Sequence, residues 1–113
     1  MAEIVRMHFA YQKAAWVDQV FEDKALSPTA RICSYYISSL FKYENFLKDG
    51  VLECCPNCEI LAERSGLAKS EVLSAVRELA TRRHINARDP SDTVDLFWCF
   101  ALFVHRNVFI GYV

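Results

Sequence analysis

The chain is poor in the residues that punctuate or loosen a backbone, with three glycines and three prolines among 113 residues. That composition excludes collagen-like and linker sequences. It also leaves too little glycine for a phosphate-cradling nucleotide loop. Neither sign of charge dominates: 13 basic residues face 14 acidic ones, a formal net charge of −1. There is no global basic field, so any polyanion binding must come from local asymmetry. Long hydrophobic runs are missing too. The longest spans residues 96–104, against about 20 residues for a membrane-spanning helix. The first residues, with Glu3, Arg6 and His8, lack the apolar stretch of a secretory signal. Five cysteines are an odd number without secretory context, which argues against a disulfide framework. These absences together predict a cytoplasmic protein without a membrane segment.

What is present is ordinary globular material, 53% hydrophobic, 13% aromatic and 24% charged. That much Leu, Ile, Phe and Tyr excludes disorder, and the length sets a single domain over residues 1–113. Residues 4–9 alternate weakly and read as a short strand. Trp16, Val17, Val20 and Phe21 fall at helical spacing, predicting a short helix from Lys13 that ends near Asp23. Ser27 and Pro28 form a helix start, a capping hydroxyl followed by a residue whose missing N–H costs nothing there. Ala30, Cys33, Ile37, Leu40 and Phe41 follow as one stripe, predicting a single helix that stops before Gly50. Residues 51–54 suit a short strand. Asn57 caps a further helix to Arg64, and a third covers residues 69–83 with Val72, Leu73, Val76, Leu79 and Ala80 on its buried face. Residues 85–88 and 93–100 read as two strands around the turn-rich Asp89-Pro90-Ser91-Asp92. The expected fold class is mainly α with a small β-hairpin and a sheet of two or three strands.

The informative stretch is residues 60–72. Ala62 is small where two helices cross closely, Gly66 permits a positive φ in the turn, and Leu67 and Val72 plug the corner. That spacing is what a helix-turn-helix requires, here over residues 57–83. The stretch resembles the winged helix-turn-helix of bacterial regulators and of phage or plasmid replication-type proteins. Trp16, Asp23 and the run 26–31 upstream look like the lead-in helix of small proteins from mobile elements. The resemblance implies a wing over residues 85–100 and a double-stranded DNA partner, with the 69–83 helix entering the major groove N-terminus first. Lys69 and Ser70 would then lie nearest base edges or phosphates, with Ser74 one turn on. Arg77 would sit close to the backbone and Arg88 at the wing base. The implied function is a small transcriptional regulator or replication-control factor, not an enzyme, with no cofactor. Residues 57–88 hold six basic residues against four acidic ones, while both flanking segments are net acidic. The basic excess therefore coincides with the motif.

A second reading takes the acidic segment 89–95 and the apolar tail as the surface of a winged-helix protein-interaction module, an adaptor or an inhibitor of a host complex. A third makes Cys54, Cys55 and Cys58 a redox sensor. Cys55-Pro56-Asn57-Cys58 has zinc or redox spacing, but a zinc site needs four ligands and no second pair follows. The motif is expected to pack at a strand-to-helix junction, with no metal bound. His84 is expected at the surface or as a dipole partner of the helix C-terminus, and Trp16 and Trp98 as core or interface anchors. Residues 96–113 are almost wholly apolar apart from His105-Arg106-Asn107. They predict a homodimer buried through this tail together with Trp16 and Phe21.

Overall fold

The computed structural model describes residues 2–87 and 99–103, and all structural statements below concern these. Five helices and three short strands follow one another as α1 (Ala2–Glu22), α2 (Pro28–Ser38), α3 (Tyr43–Asp49), β1 (Glu53–Cys54), α4 (Cys58–Ser65), α5 (Lys69–Thr81), β2 (Ile85–Ala87) and β3 (Cys99–Ala101). The fold is mainly α, as its periodicities predict.

α1 corrects the expectation of a strand over residues 4–9, for the helix runs unbroken from Ala2. Its inward stripe starts with Val5 and Phe9 and continues through Gln12, Trp16 and Val20. Spacings of four and three residues bury one helical face, and nothing before Asp23 breaks the turn. Ser27 caps α2 as its hydroxyl accepts from the Ala30 N–H at 3.1 Å, with Pro28 at the first helical position. The single helix expected from here towards Gly50 is in fact two. The hydroxyls of Ser34, Ser38 and Ser39 donate back to carbonyls three residues earlier, competing with the helical ladder. The Lys42 N–H turns away to the Glu53 carbonyl at 3.2 Å, tying the break to β1. α3 then ends at Gly50, whose φ of 71° closes the last turn.

α2 packs against α1, α4 and α5. The core they enclose holds Trp16, Ile37, Leu61, Val72, Val76 and Leu79, each fully buried. Trp16 meets Phe41 edge-on at 5.3 Å. Within this core, Trp16 takes the role of an anchor and is unavailable to the dimer interface expected of it. β3 lies in the middle of the sheet, antiparallel to both neighbours in the order β1-β3-β2. Cys54 faces Cys99 across one pairing, and Ile85 faces Ala101 across the other. Of the expected hairpin, the described residues show the antiparallel pairing of β2 with β3, residues 85–87 with 99–101. Its turn, Arg88, Trp98 and the tail 104–113 lie outside the described residues.

Candidate nucleic-acid interface

The helix pair at residues 57–83 forms as its local signals require. The Asn57 side chain accepts from the Glu59 N–H at 2.7 Å and starts α4. Gly66, at a φ of 77°, ends it, and its N–H donates to the Ala62 carbonyl at 2.9 Å. Three residues later α5 begins at Lys69, with Val72 buried and Leu67 packed against the core at the corner. Ala68 has no side-chain cap to offer. The Glu71 carboxylate instead accepts from the Ala68 N–H at 2.9 Å, half of a capping box. α5 ends at Thr81 rather than Arg83, because Arg83 adopts a φ of 63° that an α-helix cannot contain.

α5 divides sharply into two faces. Val72, Ala75, Val76 and Leu79 are buried, while Lys69, Ser70, Ser74 and Arg77 are all exposed. Ser70, Ser74 and Arg77 share one strip at spacings of four and three, and exposed Thr81 continues it, a residue the sequence reading passed over. Lys69 stands at the helix start beside that strip. A groove of about 270 Å³ runs between α5 and the beginning of α2, lined by the hydroxyls of Ser27, Thr29, Ser70 and Ser74 and by the carboxylates of Glu71 and Glu78.

The acidic residues of α5 are occupied locally. Glu71 holds the N-terminal amide, and Glu78 receives two bonds from Ser27, from its N–H and its hydroxyl, each at 2.7 Å. Carboxylates bound in this way have part of their charge met by N–H and O–H dipoles. The strip's own side chains are hydroxyls and a guanidinium.

At the far end of α5 is a cluster that sequence reasoning missed. His84, expected at the surface, is 2% exposed. Its Nε2 lies 2.7 Å from Asp23 Oδ2, its Nδ1 lies 2.9 Å from Gln19 Nε2, and its carbonyl accepts from Trp16 Nε1 at 2.8 Å. Gln19 Nε2 also donates to the Leu102 carbonyl at 2.9 Å, which can only accept. That orients the amide, so His84 Nδ1 accepts from Gln19 and Nε2–H donates to Asp23. Arg82 grips the same carboxylate with two bonds of 2.9 Å. The Arg82 guanidinium and then His84 hold the Asp23 carboxyl far below the usual carboxylate range. The cluster pins the end of α1 to the turn between α5 and β2, and through Leu102 to the residue after β3. Its members lie about 60 residues apart in sequence, so no local spacing announces it.

The cysteines do not assemble the site their spacing suggests. Cys55 is exposed and Cys58 buried, so the pair points in opposite directions. Cys33, Cys54, Cys58 and Cys99 are all buried, and burial pushes the Cys33 thiol up to about 12. The hydrogen bond of Cys99 with Cys54, together with burial, raises its thiol as well. Cys33 and Cys99 therefore resist forming thiolates. Among the described residues no group of three or more His, Cys, Asp or Glu side chains is arranged to hold a metal ion. Nor is any helix there long and apolar enough to cross a membrane. No family model, curated protein or solved structure matches the chain.

Proposed function

We propose that the chain is a winged helix-turn-helix DNA-binding protein that presents α5 to the major groove, acting as a small transcriptional regulator or replication-control factor of a mobile element. The observation that carries this reading is the exposed strip of Ser70, Ser74 and Arg77 with Lys69 at its head, on the second helix of a pair joined by a three-residue turn. The antiparallel pairing of β2 and β3 supports it, because the wing of such a fold is built on a pair of strands that follows the second helix. The occupied carboxylates of Glu71 and Glu78 support it further, since they lower the repulsion a phosphate backbone would meet along the helix. Lys69 and Arg77 contact phosphates, Ser70 and Ser74 reach base edges, and Arg88 contacts a flanking phosphate at the wing base.

The test is fluorescence anisotropy of a labelled random-sequence duplex titrated with salt. Affinity falls steeply as salt rises, and Lys69→Ala and Arg77→Ala each weaken binding uniformly and each lower the salt slope by about one counterion. Absence of binding at low salt would reject this reading in favour of a protein-interaction module built on the same fold.

A further inference from the structure

We propose that Arg83 is a phosphate-binding point at the end of α5, an inference that rests on the DNA-binding reading above. The last turn of α5 closes with two backbone bonds of 3.0 Å, from the Arg83 N–H to the Ala80 carbonyl and from the His84 N–H to the Leu79 carbonyl. This closure needs one residue in the left-handed region, and glycine adopts it at least cost. Gly50 and Gly66 fill that place after α3 and α4, at φ of 71° and 77°. After α5 it is filled by an arginine at 63°, the one non-glycine residue with a positive φ among those described. Arg83 holds this conformation against the preference of its own Cβ, and strain of that kind collects where a side chain serves binding.

Partners, position and reach agree. Arg82 and His84, on either side, are both bonded to Asp23, which fixes the backbone that carries Arg83. Arg83 itself is exposed, and among the described residues no hydrogen bond or ion pair engages its guanidinium. It lines a cavity of about 490 Å³ together with Thr81, whose exposed side chain continues the strip of Ser70, Ser74 and Arg77. Two carboxylates line the same cavity. Asp23 has its charge met by Arg82 and by the Nε2–H of His84, whereas Glu22 is exposed on the α1 wall. Length decides what this end of the helix meets. α5 is about 20 Å long, 13 residues at 1.5 Å each. The major groove is about 12 Å wide and about 8.5 Å deep. A helix that enters it N-terminus first, with Ser70 and Ser74 at the base edges, leaves its last turn at the rim, where the phosphates lie. There the fork of Arg83 N–H donors takes two oxygens of one phosphate, and the Thr81 hydroxyl donates to the same group.

Anisotropy of the labelled random-sequence duplex, titrated with the full chain over a range of salt, tests this. Arg83→Gly is expected to weaken binding roughly tenfold at about 50 mM salt and to lower the salt slope by about 0.9, one phosphate contact. Its melting temperature is expected to rise by about 2–5 °C, because glycine relieves the left-handed backbone. Arg83→Lys keeps a charge at the same place and is expected to keep the slope. Glu22→Gln removes the facing carboxylate and is expected to tighten binding. An unchanged slope in Arg83→Gly, while Lys69→Ala and Arg77→Ala each lower it, overturns this proposal and leaves the DNA-binding reading standing. A slope lowered by Arg83→Gly but by neither of those two supports the phosphate point and rejects the strip on α5. No binding by the wild type at low salt overturns both. Unchanged affinity in Glu22→Gln puts the phosphate outside this cavity and overturns the proposal as well.

Discussion

α1 and α5 are the two longest helices, and they solve the problem of a helix surface in opposite ways. α5 sorts its residues, with aliphatics on one side and Lys69, Ser70, Ser74 and Arg77 on the other. α1 does not sort. Trp16 and Val20 are buried on its inner face while Ile4, Met7 and Tyr11 stand on its outer one. An amphipathic helix has its apolar face satisfied once docked, and its polar face lies toward solvent. α1 instead keeps apolar side chains exposed on the face away from the core. The contrast sets a helix with sorted faces beside one with apolar residues on both faces, within one chain.

The largest expected effect comes from the inner face of α1. Trp16→Ala removes a fully buried indole and its bond to the His84 carbonyl, and it costs about 3–5 kcal/mol. Urea unfolding measures this as a drop in midpoint, and a change under 1 kcal/mol would show that α1 is not part of the core. Next comes the Ser27–Glu78 link between α2 and α5. Glu78→Ala leaves the Ser27 N–H and hydroxyl without their acceptor, a loss of about 1–3 kcal/mol. The same unfolding series checks it.

Two pH effects sharpen the picture of where α1 ends. Asp23 is held below its ordinary value by Arg82 and then His84, so the stability it contributes is complete above about 3.8 and is lost as pH falls through the lowered value. Thermal melts of Asp23→Asn against pH should therefore lack part of the acid-side decline seen in wild type. Glu53, in β1, has the opposite sign. Burial, with Asp49 nearby, raises its carboxyl above the ordinary value, so its contribution is present at low pH and is lost as pH rises. Glu53→Gln should raise the melting temperature at neutral pH, the smallest of these effects, and a lower melting temperature would contradict the burial assigned to it.

What the sequence discloses follows how local each cause is. Ser27 with Pro28, Asn57, Gly50 and Gly66 all act on backbone within four residues, and each sits where its chemistry predicts. The sorted faces of α5 are legible for the same reason, because a single period of 3.6 separates them. α1 defeats that reasoning. With apolar residues on both faces, its first residues alternate in a way that also suits a strand. The break after Ser38 depends on Lys42 reaching Glu53, and the Asp23–His84 contact spans 61 residues. Both are tertiary, so no window of sequence contains them. The cysteine spacing does not tell that Cys55 is exposed while Cys58 is buried.

The claim that α5 meets DNA is tested most directly by mapping backbone amide chemical shifts on adding a random-sequence duplex at low salt. The account predicts the largest changes at residues 69–77, with α1 residues 4–14 unaffected and the changes reversed by added salt. Changes concentrated in α1, or none along α5 at any salt, would contradict it.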